Sequence, residues 1–261
     1  MLRNQKISVV VPSYNQGQFL EECLTSILDQ AWPDTEVIVM DGGSKDNSVE
    51  VIRKYEKHLS YWQSQRDGGQ TPALNTGFAR ATGQIAGWLN SDDAYRPGAF
   101  KRAMEAFEAD PKLVIAQGNI DVRDEATGLI TVRTNAGLID FERILNGKFG
   151  IHQPGSFFRK SAMDLVGPLD ESLNYVMDYD FWLRLAKQGT IVELSCIQAM
   201  HRLHVDCKTM GDFATTFVPE IKRIRKKHGG SLLCRKQWDL LRITLGSWRR
   251  KITFSSRTIT K

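Results

Sequence analysis

Four aspartates, Asp41, Asp67, Asp92 and Asp93, stand where short apolar runs of the chain end. Gathering like charges costs energy unless a cation or hydrogen-bond donors compensate. Their hard oxygen atoms suit Mg²⁺ or Mn²⁺, and Mg²⁺ commonly binds one or two carboxylates together with substrate phosphates. The chemistry indicated is therefore a nucleotide diphosphate held through a divalent metal, which acts as a Lewis acid on a departing diphosphate. Taken singly, each aspartate is equally a turn or cap residue; the shared position of all four carries the argument. Neither G-x-x-x-x-G-K-S/T nor G-x-G-x-x-G follows the first apolar run. Kinase, P-loop ATPase and dehydrogenase chemistry lose their main support.

The elements that must position these residues follow from periodicity. Ile7–Val11 is β-branched and apolar and predicts a buried strand. Leu20, Leu24, Ile27 and Leu28 then fall on one helical face. Val37–Met40 predicts a second strand and Val51, Ile52 and Tyr55 a second helix. Tyr61–Ser64 predicts a weaker third strand, followed by a helix with Thr71 as its N-cap and Pro72 at its first position. Ile85–Leu89 predicts a fourth strand. This alternation predicts an α/β, Rossmann-like fold with a mostly parallel sheet and helices on both faces. In open parallel sheets ligands bind at the carboxyl ends of the strands, so the polar clusters converge on one rim. Further on, Leu113–Gln117, Ile130–Val132, Phe157–Phe158 and Ile191–Leu194 read as strands, and Asp178–Lys187 as a helix.

The chain has 261 residues, 41% hydrophobic and 25% charged, which excludes a disordered, collagen-like or long coiled-coil chain. The longest charge-free stretch, Ile7 to Leu20, is too short and too polar for a bilayer span, and a cytoplasmic protein is expected. Four scattered cysteines without a Cys-x-x-Cys pair suit reduced thiols. The net charge of +5 is unevenly spread. From Ile221 onward thirteen basic residues face one acidic residue, Asp239, while residues 1–220 carry 22 basic against 29 acidic. Trp238, Leu241, Leu245, Trp248 and Ile252 share a helical face inside this basic tail. A basic amphipathic helix with Trp on its apolar side reads as membrane-surface binding, peripheral on the inner face of the cell membrane. Packing on the globular body is the alternative, and nucleic acid is not an expected partner because no nucleic-acid motif accompanies the tail.

The runs Val9-Val10-Val11-Pro12-Ser13-Tyr14-Asn15, Val39-Met40-Asp41-Gly42-Gly43-Ser44, Asp67-Gly68-Gly69-Gln70 and Trp88-Leu89-Asn90-Ser91-Asp92-Asp93 resemble the family-two glycosyltransferases of GT-A fold, of the bacterial surface-polysaccharide type. The resemblance continues at Gly167-Pro168-Leu169-Asp170-Glu171 and Met177-Asp178-Tyr179-Asp180-Phe181-Trp182-Leu183-Arg184 and spans roughly residues 6–205. It implies an inverting, metal-dependent transferase moving a sugar from a nucleotide diphosphate donor, with a UDP-sugar favoured, to a hydroxyl of a glycan or lipid-linked glycan. It also implies residue roles. Pro12, Tyr14 and Asp41 would line the nucleoside pocket, and Asp67 would face a uracil. Asp93 would ligate the metal and Asp92 would face the ribose or donor sugar, although Ser91 departs from a strict D-x-D. Arg202-x-His204 resembles a downstream Arg-x-His element that holds the diphosphate or completes the metal shell. Asp178 is the implied catalytic base, with Asp180 as second choice; Met177 replaces the first acid of the family's acidic pair. Asp178 is equally an N-cap of the following helix.

Three regions are expected: a nucleotide-sugar-binding half over 1–119, an acceptor-binding and catalytic-base half of the same domain over 120–215, and a basic helical tail over 216–261. Two rival readings stay open. A sugar-phosphate nucleotidyltransferase would have a similar sheet, but Ser13-Tyr14-Asn15-Gln16-Gly17 is a poor match to its Gly-rich basic loop. A nucleotide-sugar-binding protein without catalysis is kept open by Met177.

Overall fold

In the first strand, β1 (Ile7–Ser13), Ile7, Val9 and Val11 share one face and Val10 the other, all fully buried. Side chains alternate across a strand, so covering both faces of β1 puts it at the centre of a layered structure. The computed structural model describes residues 5–134, 139–147, 150–208 and 213–230. After β1 come α1 (Gly17–Leu28), β2 (Thr35–Asp41), α2 (Ser48–Tyr55), β3 (Tyr61–Ser64), α3 (Gln70–Arg80) and β4 (Ile85–Trp88). Strands β3, β2, β1 and β4 lie side by side in that order and all parallel. Helix α1 buries Leu20, Leu24 and Ile27 against the Ile7, Val9 and Val11 face. Helix α3 buries Leu74 and Phe78 against Val10, Ile38 and Met40 on the opposite face. Contact there is so close that a Cβ on Gly77 would lie 2.4 Å from Val10 Cγ1.

Helix α3 starts two residues earlier than its sequence suggests. Gly69, at φ 122°, supplies the turn into it, a conformation that favours glycine. Pro72 therefore sits third in the helix, still within the first turn, where no intrahelical N–H is required.

The rest of the chain is β5 (Ala94–Tyr95), α4 (Ala99–Ala109), β6 (Leu113–Asp124), β7 (Ile130–Arg133), α5 (Phe141–Leu145), β8 (Ser156–Arg159), α6 (Lys160–Val166), α7 (Met177–Leu185), β9 (Thr190–Leu203) and α8 (Val218–Lys227). Beyond β4 the sheet continues through β8, β6, β9 and β5, with β7 paired to β6. Here the sheet is mixed: β8 runs antiparallel to β4 and β6, whereas β6 and β9 are parallel. Strands β6 and β9 therefore run in the same direction as β1 to β4, and β5, β7 and β8 run against them. Strand β6 runs through Gln117, Asn119 and Asp121, polar residues that make its apolar run look shorter than it is. Register shifts around Gly118 and Asn119 bend it against β9.

Because β6 crosses position 120, the two expected halves share one sheet. Helix α8, within the region expected as the tail, packs Ile224 into the core and bonds to α7 through Lys227. Among the described residues no helix is long and apolar enough to cross a membrane. The amphipathic pattern from Trp238 to Ile252 lies outside the described residues.

Candidate active site

The carboxyl ends of β1, β2, β3 and β4 open on one cleft of about 1010 Å³. Pro12 and Tyr14, just past the middle of β1 and its end, line it, and the Tyr14 ring is 61% exposed. Asp67 lines it too, with its Oδ1 accepting from the Gly69 amide at 2.8 Å. Asp41 does not reach the cleft. Its carboxylate is fully buried and accepts from the amides of Gly43 and Ser44 at 3.1 and 3.0 Å and from the hydroxyls of Ser44 and Ser64. It shapes the loop whose residues Gly42 to Lys45 line the cleft.

The acidic turn after β4 separates its two carboxylates. Asp92 lines the cleft, and its Oδ2 lies 3.0 Å from His204 Nε2. Asp93 is 1% exposed and points away from the cleft beneath β9. Its Oδ1 accepts from His201 Nδ1 and from the Arg202 amide, both at 3.0 Å. The metal-ligand role expected of Asp93 fits Asp92 better, because Asp92 lines the cleft whereas Asp93 Oδ1 holds β9 and its Oδ2 accepts from Asn90 Nδ2 at 3.4 Å. Burial and the neighbouring Asp93 charge raise the Asp92 carboxyl above its ordinary range, and the bond to His204 works against that rise.

Arg202 is also displaced from its expected role. Its side chain is 3% exposed, its Nε donates to the Asp92 carbonyl at 2.9 Å, and its other nitrogens pair with Glu22 and Glu125. Its guanidinium is buried and paired and does not line the cleft; it braces the acidic turn from behind. His204 packs its ring on Phe19, centroids 4.8 Å apart, and keeps Nε2 beside Asp92. His201, which sequence reasoning passed over, lines the cleft. Desolvation lowers its pKa, but the Asp93 charge and hydrogen bond outweigh this and the pKa is raised. The signal for it was alternation along β9, since His201 and the buried Arg202 face opposite ways.

Carboxylate oxygen and imidazole nitrogen form a donor set that Mn²⁺ or Mg²⁺ accepts. Among the described residues no group of three or more His, Cys, Asp or Glu side chains is arranged to hold a metal. The protein thus offers a two-residue foothold, which fits an ion whose remaining positions go to phosphate and water.

Asp178 and Asp180 share the first turn of α7 but not a role. The helix is preceded by Val176 at the N-cap, so Asp178 is not the cap. Asp178 is half-buried, and desolvation pushes its carboxyl up to about 6 against the Tyr179 amide bond and the charge of Lys208. Lys208 itself lines the cleft. Asp180 is fully buried and saturated, bonded by Arg184 Nε at 2.8 Å, Lys227 Nζ at 2.9 Å and His228 Nε2 at 3.0 Å. Burial raises its pKa, but the hydrogen bonds from His228 and Lys227 and the charge of Arg184 outweigh this and the pKa is lowered. It is unavailable to a substrate, which removes the second-choice base. Trp88 and Trp182 stack on each other, 6.2 Å apart, and both are core residues. In the stretch after His152, Phe157 and Phe158 are core, and Gln153 reaches the acidic turn through Asn90 at 3.2 Å.

Residues 8–165 match the model of glycosyl transferase family 2, and residues 88–259 match that of glycosyl transferase family group 2. An uncharacterised glycosyltransferase of Mycobacterium tuberculosis is 32% identical over 195 residues, covering 73% of this chain and 72% of that protein. The chain spans 34%, 41% and 60% of the length of three other curated relatives it matches. In fold it is similar to S. aureus TarS residues 1–349 in complex with UDP-GlcNAc, with a TM-score of 0.71, 19% identity, and coverage of 85% of this chain and 66% of that one. It is also similar to a mannosyltransferase from Pyrobaculum calidifontis in complex with GDP-Man and Mn²⁺, with a TM-score of 0.58, 18% identity, and coverage of 78% and 58%. With the family model matched over more than half of its length and a relative 32% identical over most of both chains, the chain belongs to glycosyl transferase family 2.

Proposed function

We propose that the protein transfers a hexose-type sugar, with inversion, from a nucleotide diphosphate donor to a hydroxyl of a glycan or lipid-linked glycan in cell-surface polysaccharide assembly. A UDP-sugar is the first choice of donor. The observation that carries this reading is one cleft lined by Tyr14, Asp67 and Asp92, with His204 Nε2 3.0 Å from the Asp92 carboxylate. The solved structures of similar fold hold UDP-GlcNAc in one case and GDP-Man with Mn²⁺ in another, which supports a nucleotide-sugar donor. We place the protein in the cytoplasm, with its basic tail on the inner membrane surface.

Tyr14 offers a flat ring for the nucleoside, and Asp67, held by the Gly69 amide, offers an acceptor to its edge. Asp92 and His204 would hold a divalent cation, which supplies Lewis-acid stabilisation of the departing diphosphate. His201, kept in one orientation by Asp93, presents its other ring nitrogen to the cleft. Asp178 takes the proton of the acceptor hydroxyl as that oxygen attacks the anomeric carbon opposite the diphosphate, so the centre inverts. A carboxyl at about 6 is ionised at neutral pH yet basic enough to accept this proton.

The test is turnover of a panel of nucleotide sugars with Mn²⁺, with and without glycan acceptors. Release of nucleoside diphosphate coupled to a new glycosidic bond supports transfer. Pyrophosphate release would mean nucleotidyl transfer, and binding without turnover on any acceptor would mean a non-catalytic binder.

A further inference from the structure

Helix α8 holds the turn that carries Asp178 from two sides. Glu220, the third residue of α8, accepts from the backbone amides of Asn174 and Tyr175 at 2.8 Å each and of Val176 at 3.3 Å. These three residues lead directly into α7, whose N-cap, Val176, has no side-chain cap of its own. Amides at a helix start lack intrahelical partners, and a carboxylate there satisfies them while lying at the favourable end of the helix dipole. The capping group of α7 is thus supplied from a different helix, far along the chain.

The other end of α8 holds the far side of the same turn. Lys227 and His228 both bond Asp180 Oδ1, and Arg184 fixes the second oxygen. Between the two grips, Arg223 Nη2 reaches the carbonyl and hydroxyl of Ser172 at 3.2 and 3.1 Å. Asp178 sits midway, two residues after Val176 and two before Asp180. None of the α8 groups lines the donor cleft. Their common effect is to fix the position and burial of one carboxyl.

We propose that α8 is a positioning element for Asp178 and that Glu220 is its key positioning residue, so that the start of the basic C-terminal region serves the reaction. The proposal rests on the reading of Asp178 as base. A base must stand within hydrogen-bond reach of the proton it takes, and a displacement of about 1 Å can cost about 10²-fold in rate.

The full-length Glu220→Ala and Glu220→Gln variants test this by three readouts. Hydrogen–deuterium exchange over residues 172–180 is expected to accelerate in both variants. Calorimetric affinity for UDP with Mn²⁺ is expected to match wild type, and kcat to fall about 10²-fold for Ala and less for Gln, with donor KM unchanged. Unchanged exchange in 172–180, or unchanged kcat in a turning-over enzyme, overturns the proposal. So does a loss of UDP affinity in proportion to kcat, which marks general damage. Should Glu220→Ala fail to fold, Glu220→Gln, of equal length, carries the same three measurements. A wild-type protein that turns over no donor sinks the base assignment instead, and exchange still decides whether α8 holds this turn.

Discussion

Asp178 carries a stability cost that its proposed role explains. A carboxyl whose folded pKa is raised binds its proton more tightly in the native state. Its effect on stability is absent below the unfolded value near 4 and grows as pH rises to about 6. A two-unit rise corresponds to about 3 kcal/mol, which solvent around a half-buried side chain reduces to about 1–2 kcal/mol. Asp178→Asn is therefore expected to raise the melting temperature at pH 7 but not at pH 4, and to lower kcat by about 10²–10⁴. Wild-type kcat is expected to fall tenfold per pH unit below about 6. A variant that loses stability at pH 7, or keeps its turnover, refutes the assignment. At the acidic turn, the geometry separates neighbours of identical chemistry. Asp92→Ala should remove the Mn²⁺ dependence of UDP binding measured by calorimetry; dependence that persists would return the ligand role to Asp93.

At the scale of elements, α3 sets one wall of the cleft through Gln70 and Ala73. Helix α3 approaches β1 and β2 at Gly77, where an added methyl would meet Val10 and Met40 side chains. Alanine favours helix by about 1 kcal/mol over glycine, whereas overpacking a tight core costs about 1–3 kcal/mol. Gly77→Ala is expected to lower stability by about 1–2 kcal/mol in urea unfolding and to weaken donor binding, because α3 begins at Gln70 on the cleft rim. A stabilised variant would mean that the helix simply moves outward. The same element shows why a boundary was misplaced: an N-cap glycine at positive φ leaves no side chain to announce a helix start, whereas Thr71-Pro72 imitates one.

At the scale of the whole molecule, an acidic body carries a basic C-terminal region, and α8 shows that this region begins inside the body. Removal of 231–261, beyond α8, is expected to abolish flotation with anionic vesicles at low salt while leaving UDP affinity intact. Undiminished flotation would assign membrane binding elsewhere or nowhere. The strands β1 to β4, the rim they share and the polar turns at their ends were legible in the sequence, because short apolar runs closed by polar turns encode them directly. The length of β6, the mixed order of the second half and the place of α8 were not, because those depend on partners distant in the chain. The sequence by itself determined which residue types gather at the sheet edge, since strand ends in a parallel sheet point one way. Only the tertiary structure decided which of them face the cleft. Asp41, Asp93, Asp180 and Arg202 are consumed by buried hydrogen bonds and ion pairs, and a charge that is already neutralised in the interior has nothing left to offer a ligand.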